Sequence, residues 1–269
     1  MVLKADGFSK VNDERKCSFY ISDDLESQKV CKVLKNHVAW EVGVGDSSRI
    51  RKVISIGKCK YFLKVNALTH RNERIRTTLR IKRRGTYDWV LAEIDNGIRL
   101  AHLDYIPKVK AYGFKRNRLG LVTHAFVLME FVESAHSVQE LINKFPCRVN
   151  ELVYASFGLI YKHIIDGFIH LDLWLGNIML SECLKNGWLI DLEYCKFTKH
   201  PRLEEKLGYC LGYYHRHTLS GIMSLEQYLS IFNQWHQNTL GDMHCENINS
   251  FITKYSMNET ARKTRFEMF

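Results

Sequence analysis

What this sequence does not contain narrows it first. Its eight cysteines (Cys17, Cys31, Cys59, Cys147, Cys183, Cys195, Cys210 and Cys245) form no Cys-x-x-Cys pair, and none stands near a histidine at zinc-finger spacing. Reduced thiols, as in a cytosolic protein, are the expectation. No apolar run approaches the ~20 residues that cross a bilayer, so any membrane contact is expected to be peripheral. The opening residues, MVLKADGFSKVNDERK, lack the apolar core of a secretory leader, and none is expected. There is no internal repeat and no low-complexity tract, which sets aside solenoid architectures.

What the sequence does have is an excess of positive charge. Lys and Arg number 39 against 29 Asp and Glu, a formal charge of +10. That balance predicts attraction to something anionic: nucleotide phosphates, a phosphorylated glycan, an acidic membrane surface or nucleic acid. Arg71, Arg74, Arg76, Arg80, Lys82, Arg83 and Arg84 crowd one short stretch, which reads equally well as a solvated helix face. With 269 residues, 46% hydrophobic and 25% charged, the chain suits one globular domain or two closely joined lobes.

The chain is organised around Ile160–Cys195, IYKHIIDGFIHLDLWLGNIMLSECLKNGWLIDLEYC. An apolar helix leads into His170-Leu171-Asp172, and Asn177 follows in the same polar loop. A strand at Ile178–Leu180, a turn at Lys185-Asn186-Gly187 and a second strand at Trp188–Ile190 then deliver Asp191. Helix, loop with Asp and Asn, strand, turn, strand, Asp is the order that phosphoryl transfer of the protein-kinase type requires. Asp172 is the candidate catalytic base for the attacking hydroxyl. Asn177 and Asp191 are the candidate Mg²⁺ ligands, because Mg²⁺ favours a few hard oxygens plus phosphate. His170 is assigned to support of the loop backbone. The plain alternative is a loop in which these residues merely cap turns. Asp191-Leu192-Glu193 stands where protein kinases carry Asp-Phe-Gly, which argues against a flipping activation switch and leaves metal binding intact.

Residues 1 to about 28 read as a loosely ordered lead-in with one edge strand at most. The folded body is expected to begin with a strand in Val30–Val44, joined through Gly43 and Gly45 to Ser48 to the alternating strand Arg49–Ile56. Backbone N–H groups around Gly43 and Gly45 are candidates for covering nucleotide phosphates, although an ordinary hairpin turn fits equally well. Cys59–Asn66 places Tyr61, Leu63 and Val65 on one face and Phe62 and Lys64 on the other. Lys64 is the candidate phosphate-binding lysine. Its candidate partner is Glu93, on a helix expected over Tyr87–Leu103 whose mixed spacing lets that glutamate face either way. Leu121–Val132 reads as a buried strand running out at Glu130, the candidate adenine hinge. Ser137 and Glu140 have the spacing of a capping box, and Asn150–Ile165 is expected to be a buried central helix. The cluster Tyr213-Tyr214-His215-Arg216-His217 reads either as a contact for an acidic acceptor or as helix surface.

The strand KCKYFLKVN, the stretch AEIDNGIRLAHLDYIPKVKAYGF and the segments DGFIHLDLWLGNIML and WLIDLEYCKF together resemble the lipopolysaccharide core kinase family, the heptose and Kdo kinases. The resemblance covers roughly Lys58 to Leu240. It implies an α+β, bilobal protein-kinase-like fold, with an N-lobe over residues 1–132 (an antiparallel sheet with one helix) and a mostly helical C-lobe over 133–269. It also implies ATP and Mg²⁺ as cofactors, and a sugar hydroxyl of the lipopolysaccharide inner core as acceptor. The implied place of action is the cytoplasmic side of the inner membrane, and the Arg71–Arg84 stretch is then a candidate contact with an anionic bilayer. Rival readings are an aminoglycoside- or choline-kinase-like phosphotransferase and a catalytically inactive kinase fold serving as a binding module. No nucleic-acid module is recognisable, and nucleic acid is not expected as a partner.

Overall fold

A computed structural model describes residues 6–13, 17–37, 49–82, 87–198, 202–241 and 245–269. The chain forms two compact units, Met1–Glu133 and Ser134–Phe269.

The first unit is built on strands β1 (Phe8–Asp13), β2 (Cys17–Ser22), β3 (Arg49–Ile56), β4 (Cys59–Ala67), β5 (Val109–Arg116) and β6 (Val122–Glu130). They make one antiparallel sheet in the order β1-β2-β5-β6-β4-β3. Helix α1 (Ser27–His37) covers one face, where its Val30, Cys31 and Leu34 join Phe19, Ile21, Tyr61, Leu63, Val65 and Phe126. Helix α3 (Trp89–Arg99) covers the other, packing Val90, Leu91 and Ile94 on Tyr20, Tyr112 and Val127. Between β4 and α3 runs α2 (Arg71–Leu79), whose Arg76 donates to Asp88, the residue preceding α3, at 2.8 Å.

Two expectations are corrected here. Within the lead-in, β1 and β2 pair antiparallel and supply two of the six strands, and Phe19 and Ile21 are fully buried because they alternate onto the α1 face. The body from Val30 opens as a helix, since Val30 and Leu34 recur at helical spacing, so α1 and α2 accompany the helix bearing Glu93. Gly43 and Gly45 lie outside the described residues.

The second unit opens with β7 (Ala135–Ser137) and α4 (Val138–Lys144), joined by a complete capping box: Glu140 N–H donates to Ser137 Oγ, and Ser137 N–H donates to the Glu140 carboxylate. Central helix α5 (Val149–Ile165) buries Leu152, Val153, Phe157, Ile160 and Ile164. Strands β8 (Phe168–His170), β9 (Ile178–Ser181), β10 (Gly187–Leu189) and β11 (Cys195–Phe197) follow, in two small sheets ordered β10-β9-β7 and β11-β8. The remainder is helical: α6 (Leu203–Tyr214), continuing into a π-helical turn at His215–Leu219, then α7 (Leu225–Thr239), α8 (Cys245–Met257) and α9 (Arg262–Met268). Phe157 of α5 meets the rings of Tyr228, Phe232 and Trp235 of α7 at 5.3 to 5.9 Å. Helices α6 and α8 approach backbone to backbone at Gly208 and Gly212. A Cβ on Gly212 would stand 2.6 Å from the carbonyl oxygen of Ile252.

Candidate active site

In the first unit, β4 lies inside the sheet between β6 and β3, so the face bearing Lys64 is covered by α3 and shielded from solvent. From there the Lys64 ammonium pairs directly with the Glu93 carboxylate of α3. Side-chain exposure is 7% for the lysine and 3% for the glutamate, so the pair is held almost wholly out of water. Glu93 therefore faces the sheet. Glu130 ends β6, where its N–H donates to Lys108 O at 2.9 Å and its carboxylate pairs with Lys110 at 3.2 Å. The hinge candidate thus has its own N–H already engaged. Part of the basic stretch is internally committed as well: Arg74 Nε donates to Leu68 O at 2.7 Å, and Arg76 holds Asp88.

The second unit brings Asp172, Asn177 and Asp191 to one place. Leu171, Leu173 and Leu175 are fully buried and alternate with Asp172 and Trp174, so the loop is pinned by its leucines and turns the intervening residues outward. Trp174 is 40% exposed. His170 is buried and bridges two strands' ends. Its Nδ1 accepts from Asp172 N–H at 3.3 Å and its Nε2 meets Ile190 O at 3.1 Å. A carbonyl can only accept and an amide N–H can only donate, so the proton sits on Nε2. Burial lowers the His170 pKa, which keeps the ring neutral in this role.

Asn177 closes the loop. Its Nδ2 donates to Asp172 O at 2.9 Å, its backbone N–H to Trp174 O at 2.9 Å, and its carbonyl accepts from Ile190 N–H at 3.0 Å. That leaves the side-chain Oδ1, with no protein donor among the described residues, as the atom to meet a cation. Asp191, the next residue after Ile190, sits at φ 62°, ψ 55°, a left-handed conformation that costs a non-glycine residue about 1–2 kcal/mol. Among the described residues no group of three or more His, Cys, Asp and Glu could hold a metal unaided. One amide oxygen and one carboxylate instead suit a Mg²⁺ ion whose remaining ligands are phosphate oxygens and water.

The Asp172 carboxylate has partners that the sequence did not disclose. The Tyr213 hydroxyl donates to Asp172 Oδ1 at 2.6 Å, and Arg265 Nη1 stands 3.5 Å from the same oxygen. The Tyr209 hydroxyl donates to Leu171 O at 3.2 Å. Burial, then the hydrogen bond to Asp172, raises the Tyr213 pKa, so this phenol stays a donor. The His217 ring lies tilted against Tyr213 with centroids 4.1 Å apart, and its pKa is lowered first by burial and then by the Arg265 charge. Of the cluster Tyr213–His217, Tyr213 and His217 thus lie beside Asp172, while Tyr214 and His215 are buried.

An antiparallel sheet carrying a buried Lys–Glu pair to a covering helix, followed by a mostly helical unit with this loop, defines a protein-kinase-like fold of the α+β class. No family model matches the chain, and no curated protein does. Among solved structures, the chain shares its fold with WaaP, determined in complex with acyl carrier protein: TM-score 0.52 and 12% identity, over 89% of this chain and 98% of that one. It also aligns with the bifunctional kinase-methyltransferase WbdD (TM-score 0.45, 14% identity, 84% of this chain and 46% of that one). A third alignment is with PK-1, the kinase of the Cydia pomonella granulovirus (TM-score 0.38, 14% identity, 65% and 59%). Among the described residues no helix is long and apolar enough to cross a membrane.

Proposed function

We propose that the chain is an ATP-dependent kinase that phosphorylates a sugar hydroxyl of the lipopolysaccharide inner core, on heptose or Kdo. The observation that carries the reading is the closed loop in the second unit, in which His170 and Asn177 tie the backbone around Asp172 to the strand end bearing Asp191. The buried Lys64–Glu93 pair of the first unit supports it, as does the fold shared with WaaP. The inner-core acceptor rests on the sequence resemblance and on the positive charge near Asp172.

In this mechanism Asp172 orients the acceptor hydroxyl and takes its proton at Oδ2, the oxygen without a protein donor among the described residues. Lys64, aimed by Glu93, binds the α- and β-phosphates of ATP, and the Glu130 segment offers backbone groups to the adenine. Asn177 Oδ1 and the Asp191 carboxylate would hold Mg²⁺, which would supply positive charge to offset that of the phosphates. Arg265 beside Asp172 disfavours cationic acceptors such as choline or an aminoglycoside. Peripheral attraction to an anionic bilayer belongs to this reading too, with Arg71 and Lys82 exposed for it.

The test is transfer from γ-labelled ATP with Mg²⁺ to deacylated inner-core lipopolysaccharide, an aminoglycoside, choline and a generic protein, with Asp172→Ala alongside. Label on the core glycan, absent with Asp172→Ala, is the expected result. Label on a small cation would replace the acceptor. Bound nucleotide without transfer to any acceptor would favour a binding module.

A further inference from the structure

Between His170 and Asn177 the loop contains no lysine or arginine, yet a guanidinium reaches its carboxylate from far along the chain. Arg265 of α9 donates from Nη1 to Leu171 O at 2.9 Å and stands 3.5 Å from Asp172 Oδ1. Its guanidinium lies over the Tyr213 ring, 4.7 Å from the centroid, and the side chain is 11% exposed. Helix α9 is seated by independent contacts. Lys196 Nζ donates to Phe266 O at 2.6 Å, the Tyr194 and Phe266 rings meet at 4.6 Å, and Phe269 packs on Tyr209 at 5.2 Å.

Two details separate this arrangement from an ordinary ion pair. The Tyr213 hydroxyl and the Arg265 cation converge on a single carboxylate oxygen, Oδ1, while Oδ2 receives no donor among the described residues. Arg265 Nε is buried with no acceptor among the described residues, so holding the guanidinium in this place carries a cost.

We propose that Arg265, together with Tyr213, is a positioning residue for phosphoryl transfer: the pair fixes the Asp172 carboxylate by Oδ1 so that Oδ2 is presented to the acceptor hydroxyl. This rests on the reading of Asp172 as the base. An aspartate's terminal torsion is broad and roughly two-fold, so a carboxylate without such donors samples many orientations. A misplacement of about 1 Å at a reacting group costs on the order of 10²-fold in rate. Only a planar guanidinium can bond the Leu171 carbonyl, face the carboxylate and stack on Tyr213 at once, so lysine is an imperfect substitute.

The experiment uses the whole chain with Mg²⁺ and γ-labelled ATP, reading both transfer to inner-core glycan and slow transfer to water. Arg265→Ala is expected to lower kcat by about 10- to 100-fold with KM for ATP nearly unchanged. Arg265→Lys should fall between it and wild type, and Tyr213→Phe should lower kcat in the same way. Millimolar guanidinium should restore part of the Arg265→Ala activity and none of the Asp172→Ala activity. An unchanged kcat in Arg265→Ala, with Asp172→Ala inactive, overturns the inference and leaves the kinase reading standing. A raised kcat would make α9 a strap over the base and overturn it too. A loss that guanidinium does not restore, with a lowered Tm, would make Arg265 a structural prop. Wild-type protein silent toward glycan and water alike, or Asp172→Ala as active as wild type, overturns inference and reading together.

Discussion

Lys64 and Glu93 illustrate how much a single buried pair determines. Each is nearly excluded from water, so removing one partner takes the opposite charge away from the other, at a cost of about 3–5 kcal/mol. Removing both charges with residues of similar shape costs much less. Glu93→Gln and Lys64→Met are therefore expected to be strongly non-additive in denaturant unfolding, with the double variant more stable than the sum predicts. Additive losses would mean that the two charges are compensated separately. In transfer assays both single variants should raise KM for ATP, because the clamp on the phosphates goes with either partner. The structural histidine shows a quieter version of the same logic. His170 has no chemistry of its own, yet its two nitrogens set the spacing between the segments that carry Asp172 and Asp191.

Helices α6 and α8 show why only part of this site was legible in the sequence. The loop, its asparagine and the strand-end aspartate are close in sequence, so spacing and residue type exposed them; so did the strand and helix that hold Lys64 and Glu93. Tyr213 and Arg265 reach Asp172 across 41 and 93 positions, and no local pattern records such a meeting. Helix α1 was hidden for a different reason: Val30 and Leu34 sit in a run whose apolar content also suits a strand. The close approach at Gly212 gives an element-scale prediction. Alanine there would favour the helix by roughly 1 kcal/mol, but its Cβ would press on the Ile252 carbonyl at 2.6 Å, which is backbone and cannot rotate away. Overpacking of about 1–3 kcal/mol should win. Gly212→Ala is expected to lower Tm and to lower kcat with it, since α8 leads into α9 and Arg265. A stabilised, fully active Gly212→Ala would show that α8 shifts freely.

For the whole molecule, acid should be the damaging direction. His163 is buried against Leu159 O and Cys210, and burial holds its pKa down at about 3; His170 is lowered by the same cause. Both are neutral in the native state, whereas the unfolded chain takes up these protons below its ordinary value of 6.5. The stability they allow is complete above pH 6.5 and is lost progressively as pH falls from there toward the folded-state values. The slope is about 1.4 kcal/mol per pH unit for each histidine. Urea unfolding at pH 7.5, 6 and 5 should show this decline, and His163→Gln should flatten it by one proton. An unaltered slope in that variant would rule out His163 as a contributor.

The 93 positions between Asp172 and Arg265 also bear on how the protein is made. Contacts of such separation form late, because chain entropy is lost in closing the loop before the contact returns anything. In a refolding chain the ellipticity of α5 and α7 should return before α9 has found the Leu171 carbonyl. Catalytic competence then lags behind structure, and a molecule paused between the two would be folded to a spectrometer and silent to a substrate.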